Sequence, residues 1–200
     1  MADKKPKKIP FNARNVVIFV ILIAIVVGYY ISTSQKPSGI GKAKDEYTLL
    51  VEKDLEYGYP ATPKEVVKCY ARYVKCLYKG GLNDTQVEKL VKQLRILFDD
   101  ELLAKNTLDS QLELLKRDIE DFKTEKKSIT TYEVDEDSIQ MGIVDGAEKA
   151  TIIMGFSVKE DSTYVRTSEQ FLLQKDKENK WKIVGWQLVK TDTDDKSTKD

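Results

Sequence analysis

Acid–base and nucleophilic chemistry near neutral pH usually recruits histidine, and this chain of 200 residues has none. A Ser-His-Asp or Cys-His arrangement is therefore excluded. The two cysteines, Cys69 and Cys76, lie in a segment of helical pattern. Their spacing predicts Cα atoms roughly 10 Å apart, beyond the roughly 7 Å that a disulfide within the chain can span. They read as buried thiols, with pairing between two chains as the alternative, and two lone cysteines make no zinc site. Asp99-Asp100-Glu101 and Asp135-Glu136-Asp137 gather carboxylates as calcium sites do, but neither run sits in an EF-hand-type loop. The first reads as a solvated helix end and the second, ahead of Ser138, as a hairpin turn. Gly39-Ile40-Gly41 has no strand before it and makes no phosphate loop. No catalytic residue, metal or cofactor is expected.

The aromatic residues are more suggestive. Tyr70, Tyr73 and Tyr78 cluster in one predicted helix, and with Phe171, Trp181 and Trp186 they form either a wall for a flat ligand or ordinary core with hydroxyls at its rim. Trp181 and Trp186 are an odd number of residues apart in one predicted strand, which puts them on opposite faces unless Gly185 makes a bulge. One would then pack under helices. The other would sit on an open sheet face beside Ile153 and either Phe171 or Leu172, awaiting a partner chain or a second copy. A filled interior explains the same residues. A histidine-free acid–base site could use an aspartate beside a tyrosine inside the fold. The inward positions read as apolar, and the aspartates fall at turns and helix ends. A deep cavity with one buried carboxylate beside a tyrosine would favour a pocket that binds or processes a small apolar molecule, because desolvation raises a carboxyl pKa toward neutrality.

Helices come first in the elements that must position these groups. Thr62-Pro63-Lys64-Glu65 has the capping threonine, first-turn proline and third-position glutamate of a helix start, and Gly80-Gly81 ends that helix. A second helix starts near Asn83–Thr85, with Val87, Leu90, Val91, Leu94, Leu97 and Phe98 as its apolar stripe. A third starts near Thr107, with Leu108, Leu112, Leu115, Ile119 and Phe122 on one face. Asp45–Tyr57 adds a shorter helix. After Lys127 the period becomes two. Strands are expected at Ile129–Asp135, Ile139–Val144, around Ala150–Val158, at Tyr164–Lys175 and at Lys180–Lys190, with turns at Asp145-Gly146, Glu160–Thr163 and Asp176–Asn179. Short connections make the sheet antiparallel, so the fold class is α+β.

Val16–Ile31 is uncharged, apolar and rich in β-branched residues. Such a run satisfies its backbone in lipid as a helix, although about 24 Å of helix is short against roughly 30 Å of hydrocarbon and calls for extension through Ser34. Lys4, Lys5, Lys7, Lys8 and Arg14 against Asp3 alone precede it. That flank predicts a cytoplasmic segment 1–15, a transmembrane helix 16–34, a linker 35–44, an extracytoplasmic domain 45–191 and a disordered tail 192–200. A cleaved signal peptide is the competing reading. The formal net charge is zero, so the basic flank leaves an acidic excess on the remainder, which argues against nucleic acid as a partner.

Amphipathic helices, then a hairpin, then long strands closing with Lys180-Trp181-Lys182-Ile183-Val184-Gly185-Trp186 resemble the nuclear transport factor two-like (cystatin-like cone) superfamily. The resemblance covers roughly residues 45–191. It implies a sheet curved around a helix to leave a conical pocket. The anchored arrangement is similar to assembly subunits of bacterial conjugation and secretion machines and to surface proteins of Gram-positive bacteria. The expectation is a membrane-tethered, non-enzymatic binding or scaffold domain that meets other envelope proteins or itself. The alternative is a cone pocket that binds or processes a small apolar ligand.

Overall fold

The computed structural model describes residues 45–189. The expected basic segment, transmembrane helix and linker, as well as the tail 192–200, lie outside them. Among the described residues, no helix is long and apolar enough to cross a membrane.

Among the described residues, five helices precede four strands. α1 (Glu46–Val51) is capped by Asp45, whose carboxylate accepts the Thr48 amide, and buries Leu50. α2 (Pro63–Tyr78) starts with the expected capping box between Thr62 and Glu65, which satisfies amides that the first turn leaves without helical partners. Gly80 and Gly81 both take φ of 82°, a left-handed conformation that suits glycine, and stop this helix. α3 (Asp84–Arg95) has the reciprocal Asn83–Gln86 box and buries Val87, Leu90, Val91 and Leu94.

Leu97 and Phe98 were expected on that stripe, but the chain has already left the helix. The Ile183 amide donates to the Leu97 carbonyl at 2.8 Å and the Asp99 amide to the Ile183 carbonyl at 3.0 Å. This short parallel bridge ties the helical layer to the last strand. Asp99 then caps an additional helix, α4 (Asp100–Lys105), which gives the first acidic run its role. α5 (Leu108–Thr124) starts at Thr107 as expected, but none of its side chains is fully buried.

β1 (Lys127–Val144), β2 (Ala147–Glu160), β3 (Thr163–Lys175) and β4 (Trp181–Val189) form an antiparallel meander in sequence order. The two strands expected at Ile129–Asp135 and Ile139–Val144 are one. Asp135–Ser138 is a bulge in β1 and not a hairpin turn. The Ser138 hydroxyl donates to the Asp135 carbonyl and accepts the Ile153 amide at 2.8 Å, so a side chain stands in for a missing ladder carbonyl and the strand continues. Asp145 and Gly146, both at positive φ, make the tight β1–β2 turn.

One sheet face packs on the helices through Ile152, Met154, Phe156, Phe171, Leu173 and Ile183, all buried. The opposite face is largely polar. Glu133 and Arg166 approach to 3.8 Å there, and the Gln187 amide donates to Gln170. Leu172 and Ile153 are on this face, while Phe171 is inside.

Candidate ligand cleft

α2, α5 and the inner face of the sheet meet along an open-ended cleft of about 780 Å³. Its placement follows from the β4 register. Leu172 pairs with Gly185 but Leu173 pairs with Ile183, so Val184 is an extra residue in the ladder. The bulge changes the parity of the strand. Trp181, Ile183 and Trp186 all face the helices, opposite Lys175, Leu173 and Phe171. The bulge on which the sequence reading turned is present, so neither tryptophan lies on the open sheet face.

Trp186, 39% exposed, closes one end of an aromatic cluster. Its ring stacks on Phe171 with centroids 6.0 Å apart and tilts against Tyr70 at 5.4 Å and Phe98 at 5.7 Å, while Tyr70 meets Phe171 edge-on at 5.0 Å. These are the offset and edge-to-face contacts that ring quadrupoles favour. Further along α2, Tyr78 meets Phe122 of α5 edge-on at 4.9 Å.

Glu169 projects from β3 onto the same inner face, two residues before Phe171 and opposite Met154. It is half-buried as a residue, but its Oε2 is sealed from solvent and has no hydrogen-bond partner. Burial alone pushes its carboxyl up to about 7. Tyr70 is raised by burial first and then by the charge of Glu169. Tyr78 is raised to about 12 by burial, then by Asp118 and Glu169. The cleft is also lined by Asp118, Asp121, Glu125 and Glu160. The lysine among the lining residues, Lys127, is engaged by Glu125 at 2.6 Å and Glu160 at 3.1 Å.

Of the aromatic residues singled out from the sequence, Tyr70 and Trp186 line the cleft and Phe171 lies beneath them. Tyr73 is core: its hydroxyl donates to the Leu50 carbonyl at 3.0 Å. Trp181 is also core, with the Lys175 ammonium 5.3 Å from its ring centroid and its carbonyl accepting the Tyr59 hydroxyl at 2.7 Å. Cys69 and Cys76 are buried free thiols. Sequence reasoning missed Glu169. The signal was present in β3, where Val165, Thr167, Glu169, Phe171 and Leu173 alternate onto one face, but it becomes readable only once Phe171 is known to point inward.

A family model described as a domain of unknown function (DUF6715) matches residues 1–186. No curated protein matches the chain. Among solved structures, the NMR solution structure of transfer protein TraH from the Gram-positive conjugative plasmid pIP501 is similar at 13% identity over 66% of this chain and 98% of that one. The TM-score is 0.35, too low to imply a shared fold.

Proposed function

The chain belongs to the DUF6715 family, and from its geometry we propose that residues 45–189 form a non-enzymatic binding module whose cleft takes a small, largely apolar ligand. The observation that carries this reading is the sealed, unpartnered oxygen of Glu169 in a cleft whose lining also includes Tyr70, Leu77, Phe98, Phe156 and Trp186. A buried acceptor without a donor costs about 1–3 kcal/mol, so such a group is expected where a ligand completes it. The cleft lies between helix and inner sheet face, where the cone-like resemblance puts its pocket. The module is tethered outside the cell membrane by Val16–Ile31. The test is emission from Trp186 in the full chain, reconstituted in lipid nanodiscs and titrated with 4-phenylbutanol. A saturable change that Trp186→Phe abolishes supports the cleft. A linear response identical in empty nanodiscs refutes it.

A second reading, a tethered scaffold that assembles with other envelope proteins or with itself, draws on the far end of the β1–β2 hairpin. Met141, Ile143 and Val144 are 60%, 77% and 50% exposed there, exposed apolar side chains beside the β1–β2 turn. Crosslinking in the native membrane that captures defined envelope partners, and loses them in Ile143→Asp, would favour the scaffold.

A further inference from the structure

We propose that the cleft selects organic cations, namely an ammonium group carried on an apolar body, with the ammonium seated between the Glu169 carboxylate and the rings of Tyr70 and Trp186. The inference rests on the cleft being a ligand site, and adds the charge of what enters it. Three independent features point the same way.

Glu169 lines the cleft and its sealed oxygen has no donor in the protein, so an ammonium that meets the carboxylate from the cleft supplies both donors and the opposite charge. Tyr70 and Trp186 line the same cleft as Glu169, and the negative face of an aromatic ring attracts a cation within about 6 Å of its centroid. The cleft is also lined by Asp118, Asp121, Glu125 and Glu160, whereas the charge of Lys127 is already met by two of them. A recess of one sign with low-dielectric walls concentrates ligands of the opposite sign. An anionic ligand would meet these carboxylates with no lining cation free to receive it. A neutral apolar ligand would leave the Glu169 oxygen as it is now. Binding of a cation also favours the ionised form of Glu169, so affinity should rise with pH. The titratable groups around this carboxylate are Tyr70 and Tyr78 from α2 and Asp118 from α5, and both tyrosines stay neutral through that range.

The test uses the full chain in lipid nanodiscs, with empty nanodiscs as the calorimetric reference, and three probes of one shape: 4-phenylbutylamine, 4-phenylbutanol and 4-phenylbutanoate. The expected result is that the amine binds at least about tenfold more tightly than the alcohol and the acid binds most weakly. Glu169→Gln, which keeps the side-chain shape, should bring the amine down to the alcohol while leaving the alcohol unchanged. Equal affinity for amine and alcohol, tightest binding of the acid, or an amine preference untouched by Glu169→Gln overturns the cation assignment and leaves the cleft standing. Binding by none of the three overturns both.

Discussion

Glu169 carries a cost that can be measured without any ligand. Its carboxyl is raised from an ordinary 4.5 to about 7 by burial. Below the unfolded value both states are protonated and the burial costs nothing. Between the two values the unfolded chain releases its proton while the folded chain holds it, so stability falls, and above about 7 the loss is complete. Glu169→Gln should therefore leave stability unchanged near pH 4. At pH 8 it should raise stability by about 1–3 kcal/mol, once the exposed half of the side chain is allowed for. Chemical denaturation at the two pH values reads this directly. Tyr73→Phe is the contrasting change. It deprives the Leu50 carbonyl of a donor inside the core and should cost about 1–2 kcal/mol, with cleft binding unaltered. A parallel loss of ligand affinity would show that Tyr73 belongs to the site.

The elements differ in how well they are held. α2 buries nine side chains, whereas α5 buries none completely. Hydrogen exchange should therefore show α5 opening with far lower free energy than α2, and ligand in the cleft should protect α5 selectively. Equal protection of the two helices would rule out α5 as the mobile wall. The bulges are equally open to test. Ser138→Ala removes the acceptor of the Ile153 amide and should destabilise by about 1–2 kcal/mol, with exchange accelerated at Ile153. Deleting Val184 restores even pairing in β4 and should turn Trp186 towards the polar face, with loss of the aromatic cluster and of binding. A deletion variant that keeps native Trp186 emission would refute the register account.

For the whole molecule, local signals marked the helices well. Thr62, Asn83 and Thr107 each cap a helix at the expected start, because a cap is written in a few adjacent residues. Two features of the sheet were harder to read. Ser138 looked like part of a turn because its hydroxyl's role in the ladder depends on Ile153, a residue on the neighbouring strand. The parity of Trp181 and Trp186 depended on a bulge beside Gly185, and the inward face of Glu169 depended on the register set across β2 and β4. The site was legible as an aromatic group but not as a group around a carboxylate. The proposed membrane anchor is testable separately: a reporter fused after Asp200 should be active only on the outer side, and activity inside the cell would overturn the orientation.

The ladder irregularities also affect how crowded copies of this domain would behave. A meander has two bare borders, and bare borders invite neighbouring chains to add strands in long stacks. Here β1 is kinked at Asp135–Ser138, and β4 is bulged at Val184 and already occupied at Ile183 by the Leu97–Asp99 segment. Neither border offers an unbroken run of amides and carbonyls along its length. Copies packed side by side can therefore meet without templating one another into fibres.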